Sequence, residues 1–222
     1  MKNVMFIHAA NMLVDKNGVS NTERCQKILD EIKDYILESK IYEDIEFISL
    51  ELLGDPNILF EVPNGVINFN GYNVHEWEFP TLMKIIEYSK NNPNDNILYI
   101  HTKGSSNNIA VPEFNWIEDV RNYHLYFNIT KYKDSLEYLK EYDCCGVELI
   151  NIPVKHYSQN FWWSKASHIN TLVSPDKLTP IYDYRHNCEF WICSNSKSKY
   201  KSKFNLYNHF IGAHDFSKNL YR

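Results

Sequence analysis

The stretch Ile97-Leu98-Tyr99-Ile100-His101-Thr102-Lys103-Gly104 decides the fold class of this chain. Its four apolar residues follow the turn signal Asn91-Asn92-Pro93-Asn94, which is typical of a short strand buried on both faces of a sheet. The residues then become polar, and Gly104 would let the backbone approach a ligand closely. Lys103 offers a positive charge and Ser105 a donor to phosphate oxygens. The strand end is therefore a candidate binding site; the alternative is a polar turn in which His101 is hydrogen-bonded locally.

Strand-like and helix-like patterns alternate on both sides of this stretch. Further strands are predicted at residues 4–7, 45–52, 66–69 and 146–150, and helices at 25–37, from 78 to about 90, at 113–142 with a break near 128–131, at 164–172 and at 186–193. Ser20-Asn21-Thr22-Glu23 matches a capping box. This alternation predicts one α/β domain over residues 1–222, with a mainly parallel sheet covered by helices on both faces. Ligands of such folds bind beyond the carboxyl ends of strands, here the loops after Ile7 and Ile100.

Bulk composition excludes several classes of protein. Of the 222 residues, 44% are hydrophobic and 23% are charged, as in an ordinary globular protein. The net charge of -5 disfavours nucleic acid as a partner, and no apolar run is long enough to predict a transmembrane segment. The five cysteines are irregularly spaced and predict neither a zinc site nor disulfides, so we expect a reducing, cytoplasmic location.

Common phosphate-binding and hydrolase motifs are absent from the sequence. There is no Gly-x-x-x-x-Gly-Lys-Ser/Thr, no Gly-x-Gly-x-x-Gly and no Gly-x-Ser-x-Gly. One basic segment stands out, Lys197-Ser198-Lys199-Tyr200-Lys201-Ser202-Lys203, which as an extended strand would place its lysines on one face. We interpret it as a charged edge strand or solvated loop, with a phosphate or acceptor contact as the alternative.

Four segments, in this order, resemble small GT-A-type glycosyltransferases of bacterial polysaccharide clusters and large DNA viruses. They are Glu78-Phe79-Pro80-Thr81-Leu82, Tyr99-Ile100-His101-Thr102-Lys103-Gly104, Asn160-Phe161-Trp162-Trp163-Ser164-Lys165-Ala166-Ser167 and Arg185-His186-Asn187-Cys188-Glu189-Phe190-Trp191-Ile192. The resemblance implies a single GT-A-like, Rossmann-like domain. It also implies transfer of a hexose or deoxyhexose from a nucleoside-diphosphate donor, UDP-sugars being favoured, to a glycan or other hydroxyl acceptor.

The resemblance also assigns the donor site. The nucleotide is expected at His8, Ala9, Ala10 and Asn11 after the first strand, and the diphosphate at His101, Thr102, Lys103, Gly104 and Ser105. Most GT-A enzymes carry Asp-x-Asp there to hold a divalent metal, and this sequence departs from that pattern. A lysine neutralises a leaving diphosphate directly, so we expect catalysis without a metal. The alternative is a Mn²⁺ or Mg²⁺ site that combines His101 with the C-terminal residues His209, His214 or Asp215.

Two further roles complete the expected site. Glu189 is the candidate catalytic base, because an inverting transferase needs a carboxylate to take the acceptor proton, and its neighbours Cys188, Phe190 and Trp191 are expected to bury it partly. Trp162 and Trp163 are candidates for stacking on an acceptor sugar, with a place in the core as the alternative. In an extended segment these two side chains point to opposite faces.

Two other functions remain open from the sequence. One is an inactive glycosyltransferase-like module that binds a nucleotide or a glycan. The other is a non-glycosyl α/β enzyme that acts on a phosphorylated metabolite through Lys103. Hydrolysis of a nucleotide sugar would separate the first from an active transferase, and stabilisation by sugar phosphates alone would favour the second.

Overall fold

A seven-stranded mixed sheet forms the centre of the computed structural model, which describes residues 1–11, 21–105, 115–206, 216 and 218–222. The described residues form seven strands of this sheet and two strands of a separate pair. In chain order they are β1 (Asn3–Asn11), β2 (Ile48–Gly54), β3 (Gly65–Phe69), β4 (Asn96–His101), β5 (Cys144–Gly146), β6 (Leu149–Ile150), β7 (His156–Tyr157), β8 (Trp162–Lys165) and β9 (Tyr200–Ser202). Their order is β3-β2-β1-β4-β8-β5-β9, and β6 pairs with β7 separately. Only β8 runs antiparallel to its neighbours in the large sheet.

Helices cover both faces of this sheet. They are α1 (Thr22–Ser39), α2 (Phe79–Asn91), α3 (Asn115–Leu125), α4 (Tyr132–Tyr138), α5 (Ala166–Ile169) and α6 (Asn187–Trp191), with short 3₁₀ turns at Ile41–Glu43, Val74–Glu76, Ser158–Asn160, Pro175–Lys177, Tyr184–His186 and Lys218–Leu220. The apolar stripe of α1 packs on one face, and α2, α5 and α6 pack on the other. None of the helices in the described ranges is long and apolar enough to cross a membrane.

Alternation along β1 shows why both faces are covered. Met5 and Ile7 join the core beneath α1, whereas Val4 and Phe6 join the core beneath α2. Both sets are buried, as expected of a strand inside a sheet that helices cover on each face. The sequence-based prediction of a mainly parallel sheet between helices is therefore confirmed.

The direction in which successive strands are added to the sheet changes between β1 and β4, although these two strands are parallel. After β1 the chain adds β2 and then β3 on one side, and α2 carries it back so that β4 pairs with the other side of β1. At such a switch point the connections from neighbouring strands leave in opposite directions, which opens a crevice at the strand ends. The end of the predicted strand at residues 97–100 lies at this crevice.

Several predicted elements differ from the structure. The predicted helix at 164–172 is shorter, because Trp162–Lys165 is a strand and only Ala166–Ile169 is helical. The predicted strand at 146–150 divides into β5 and β6 around Glu148, whose φ is 54°. The predicted helix break near 128–131 is present as a π-helical turn at Tyr126–Thr130. Helix α1 begins at Thr22, and Ser20 of the predicted capping box lies outside the described residues.

The lysine-rich segment supplies a short edge strand at Tyr200–Ser202, which agrees in part with the preferred interpretation. β9 is the last strand of the sheet, and Lys201 lies 5.2 Å above the ring centroid of Tyr138. Lys203 follows on the same face, and its ammonium group donates to the carbonyl of Phe127 and, over 2.7 Å, to the hydroxyl of Ser135. All five cysteines are buried as free thiols.

Candidate strand-end site

A cleft of about 520 Å³ opens at the carboxyl ends of β1 and β4, where the switch point predicts one. The main chain after β4 forms its floor, and its walls come from the segment before α2, the start of α3, the turn before β8 and the start of α6. The lining residues are His8, Ala10, Val74, His75, Trp77, Glu78, His101, Thr102, Lys103, Gly104, Ser105, Trp116, Ile117, Gln159, Asn160, Arg185 and Glu189.

Two neutral histidines lie side by side at the base of the cleft. His8 and His101 are register partners on β1 and β4, so their side chains share one face of the sheet. His8 Nδ1 lies 2.9 Å from the hydroxyl of Thr81, and His101 Nε2 lies 2.7 Å from the carbonyl of Gln159. Burial lowers the pKa of each histidine to about 4, so both are uncharged at neutral pH.

The turn after β4 is fixed by backbone hydrogen bonds. The amide of Thr102 donates to the carbonyl of His8 over 2.9 Å, and the amide of Ser105 donates to the carbonyl of Thr102 over 3.0 Å. The hydroxyls of Thr102 and Ser105 lie 3.3 Å apart and bond to each other. Gly104 has a φ of 91°, which a side chain would strain. No acceptor for its amide is found among the described residues.

The side chain of Arg121 fixes the position of this turn through a hydrogen bond to its main chain. It is buried, its guanidinium bonds to the carboxylate of Glu31 at 2.6 and 2.7 Å, and its Nη1 donates to the carbonyl of Lys103 over 3.0 Å. A planar guanidinium can make these contacts at once because its donors form a fixed fork. The main chain of Lys103 is thereby anchored to α1 and α3.

Lys103 and Glu189 place opposite charges in the same cleft. Both side chains are half-buried, and no ion pair to either is found within the described ranges. Their charges act on the same imidazole: after burial, Lys103 is the next influence that lowers the pKa of His101, and Glu189 opposes it. The cation and the carboxylate predicted from the sequence therefore both lie near His101.

Glu189 lies on the first turn of α6, with apolar neighbours. Cys188, Phe190 and Trp191 are buried, so the helix is anchored while the Glu189 carboxylate faces the cleft. This placement agrees with the predicted partial burial and leaves the carboxylate able to meet a ligand.

Two of the residues expected at the nucleotide do not line the cleft. Ala9 is fully buried in the core beneath α1, because alternation along β1 turns it to the face opposite His8. Asn11 is also fully buried, and its amide donates to the carbonyl of Asp55 over 2.9 Å. Of the four residues expected at the nucleotide, the structure therefore places only His8 and Ala10 at the cleft.

Trp162 and Trp163 are core residues and not a stacking surface. They point to opposite faces of β8, as predicted for an extended segment, but both are 0% exposed because β8 lies inside a sheet that is covered on both sides. Their indole nitrogens donate to Asn160 Oδ1 and to the carbonyl of Asn128. Neither ring face is open to a sugar.

Several residues of the cleft were not predicted from the sequence. Trp77 and Trp116 are 36% and 40% exposed and line the cleft that Trp162 and Trp163 do not reach. Trp77 has φ 48° and ψ -133°, a backbone conformation that a bulky residue rarely adopts and that is concentrated at functional sites. Arg185 adds a second cation at the wall formed by the turn before α6. The sequence offered a signal for two of them: Trp77 directly precedes the segment that begins at Glu78, and Arg185 begins the last segment of the family resemblance.

The donor atoms at this strand end fit a divalent metal poorly. A lysine ammonium stands beside His101, and one imidazole nitrogen of His101 is engaged by the Gln159 carbonyl. Within the described ranges no three His, Cys, Asp or Glu side chains are grouped so that they could hold a metal. The candidate ligands His209, His214 and Asp215 lie outside those ranges.

Fold and cleft together define a mixed α/β protein with a cleft at its topological switch point, lined largely by polar residues. A family model described as a domain of unknown function (DUF8361) matches residues 61–220, and the chain belongs to that family. Comparison with curated proteins finds no match. Among solved structures, 4-diphosphocytidyl-2C-methyl-D-erythritol synthase is similar at a TM-score of 0.36 and 13% identity, over 84% of this chain and 83% of that chain. A likeness that distant indicates neither fold family nor activity.

Proposed function

We propose that this protein is a glycosyltransferase that moves a sugar from a nucleoside-diphosphate donor to a hydroxyl acceptor. The observation that supports it best is the presence of Lys103 and Glu189 in one cleft at the switch point, with their charges acting on the same neutral His101. Sugar transfer with inversion needs a positive charge for the departing diphosphate and a carboxylate for the acceptor proton. This cleft contains both.

Lys103 and the Gly104 amide are the groups that bind the diphosphate. The ammonium supplies the charge, and the left-handed turn at Gly104 directs its amide to an oxygen of the same phosphate group. In this proposal the Lys103 ammonium and the Gly104 amide stabilise the leaving diphosphate, as a divalent metal does in most GT-A enzymes. Transfer should therefore be insensitive to chelators. UDP-sugars are the preferred donors in this proposal.

Glu189 is the base of the transfer step. Its carboxylate takes the proton of the acceptor hydroxyl while that oxygen forms a bond to the anomeric carbon. The bond from the anomeric carbon to the diphosphate oxygen breaks, and its electron pair leaves with the diphosphate beside Lys103. Trp77 and Trp116, which are partly exposed and line the cleft, are the candidates for stacking on a ring of the substrates, in place of Trp162 and Trp163.

A thermal-shift screen with UDP-, GDP-, CMP- and dTDP-sugars, each with Mn²⁺ and with excess EDTA, tests this function. The expected result of the screen is stabilisation by one nucleotide class, unchanged by EDTA. An assay of free sugar in the same mixtures should show slow release of sugar from the donor, also unchanged by EDTA. Lys103→Ala abolishes the stabilisation, whereas Lys140→Ala, which removes an exposed lysine paired with Glu137, leaves it intact.

Three results would contradict the proposal in different ways. Binding without any sugar release or transfer would identify a binding module. Stabilisation by sugar phosphates but by no nucleotide sugar would identify an enzyme of phosphorylated metabolites. Complete loss of activity in EDTA would show that a metal, and not Lys103 alone, serves the diphosphate.

A further inference from the structure

A second carboxylate lies in the cleft and is held very differently from Glu189. Glu78 immediately precedes α2, lines the cleft and is half-buried. Its Oε2 accepts two short hydrogen bonds, from the hydroxyl of Tyr99 and from Nδ2 of Asn160, each at 2.6 Å. No hydrogen bond to its Oε1 is found within the described ranges, so this oxygen is available to a ligand.

The donors that hold Glu78 are themselves fixed. Tyr99 is fully buried in β4, on the same face of the strand as His101. Asn160 is 1% exposed, also donates to the carbonyl of Cys188 over 3.2 Å, and accepts from the indole of Trp162 over 2.9 Å. The carboxylate is therefore attached to β4, β8 and α6 at once.

Backbone strain supports the same network. Gln159 and Asn160 are consecutive residues with φ of 63° and 56°, a left-handed conformation that costs free energy in residues other than glycine. That conformation lets the Gln159 carbonyl meet His101 while the Asn160 side chain meets Glu78. Strain of this kind persists where surrounding contacts enforce it, and it is concentrated at functional sites.

We infer that Glu78 recognises hydroxyl groups of a sugar and that Oε1 is the accepting atom. A carboxylate repels phosphate but accepts strongly from hydroxyl donors, so of the groups on a nucleotide sugar the sugar hydroxyls suit it best. Its rigid mounting suits recognition, whereas Glu189 lacks such partners among the described residues and keeps the role of base. The assignment rests on the proposed function, in which the recognised sugar is the one transferred.

Binding of UDP and of UDP-sugars to the wild type and to Glu78→Gln tests the inference by calorimetry. The variant should bind UDP within about threefold of the wild type but lose about tenfold or more of the preference for the preferred UDP-sugar, since a hydrogen bond to a charged group is lost. Tyr99→Phe, which removes one donor to Oε2 and preserves shape, should weaken that preference less. Glu76→Gln, an exposed glutamate two residues away, should change nothing.

Equal losses for UDP and the UDP-sugar in Glu78→Gln, or no loss for either, would overturn the inference. If the wild type binds no nucleotide, the proposed function fails, and saturation-transfer NMR with free monosaccharides tests hydroxyl recognition separately. Signals present in the wild type and absent in Glu78→Gln would then support the role of Glu78. Equal signals in both proteins, or none in the wild type, would refute it.

Discussion

At the scale of single residues, the different surroundings of Glu78 and Glu189 favour different proposed roles: sugar recognition for Glu78 and proton acceptance for Glu189. One oxygen of Glu78 is saturated by Tyr99 and Asn160, so its carboxylate is fixed in position. Glu189 projects from the first turn of α6, and no such donors are found for it among the described residues. A proton acceptor in a transfer step must reach the acceptor hydroxyl, and the less constrained carboxylate suits this role.

Glu189→Gln should lower the turnover of sugar transfer by ~10²-fold or more, because an amide cannot take the acceptor proton. Donor affinity should change little, since the proposed function assigns diphosphate binding to Lys103 and the Gly104 amide. Single-turnover transfer rates and the Kd of the donor measure the two effects separately. Glu141→Gln, on the exposed surface, serves as the control. A Glu189→Gln enzyme within a few-fold of the wild type would remove Glu189 from the mechanism.

The residue patterns predicted correctly that the polar end of β4 and Glu189 lie at the cleft. They did not predict correctly which tryptophans line it. His101, Lys103 and Gly104 were recognisable because polar residues followed a buried strand directly. Trp162 and Trp163 were misassigned because their exposure depends on where β8 lies in the sheet, and a sequence does not state which strands are interior. Glu78 was visible only as part of a motif, since its partners come from distant segments.

At the scale of elements, the turn after β4 depends on the absence of a side chain at Gly104. A Cβ there would lie 2.7 Å from Cγ2 of Ile117 on α3, and the φ of 91° adds backbone strain. Gly71 provides a matched control, because its φ of 114° imposes similar strain while a Cβ added to it would meet nothing within 4 Å. Comparing the two alanine substitutions therefore separates the free-energy cost of a left-handed backbone from the cost of displacing Ile117 on α3.

Gly104→Ala and Gly71→Ala should each lower the free energy of unfolding by about 1–3 kcal/mol through the backbone. Only Gly104→Ala should also weaken nucleotide binding, by about tenfold, because the turn must shift away from Ile117 and carries the Gly104 amide and Lys103 with it. Urea unfolding and nucleotide titration measure the two effects. Unchanged nucleotide affinity in Gly104→Ala would show that this turn does not contact the diphosphate.

Element types were easier to predict than their directions. The strands before and including β4 followed from short apolar runs, and α1 followed from its apolar stripe. The antiparallel direction of β8 had no sequence signal, because it is set by pairing with β4 on one side and β5 on the other. The same pairing makes Trp162–Lys165 a strand, although residue patterns predict a helix from residue 164.

At the scale of the whole molecule, the helices that cover both faces of the sheet help to bury histidine side chains. Burial lowers their pKa values, so the imidazoles are uncharged at neutral pH. Burial lowers the pKa of His8 and His101 to about 4 and that of His124 to about 3. Both ring nitrogens of His124 lack partners among the described residues, and its ring meets Phe161 edge to face. Burial also lowers the pKa of His168, so at least four imidazoles of the described residues resist protonation, although an unfolded chain would protonate them near pH 6.5.

These histidines should make the fold sensitive to acid. Because their pKa values are lower in the folded state, the unfolded state binds more protons between about pH 6.5 and 4, so stability falls as pH falls through that window. Each histidine should contribute a slope of up to about 1.4 kcal/mol per pH unit. Urea unfolding at pH 7, 6 and 5 measures the total, and His124→Phe should reduce it by one histidine's share. His75→Gln, at a solvent-exposed position, should leave the slope unchanged, and an unaltered slope in His124→Phe would show that His124 is not held neutral.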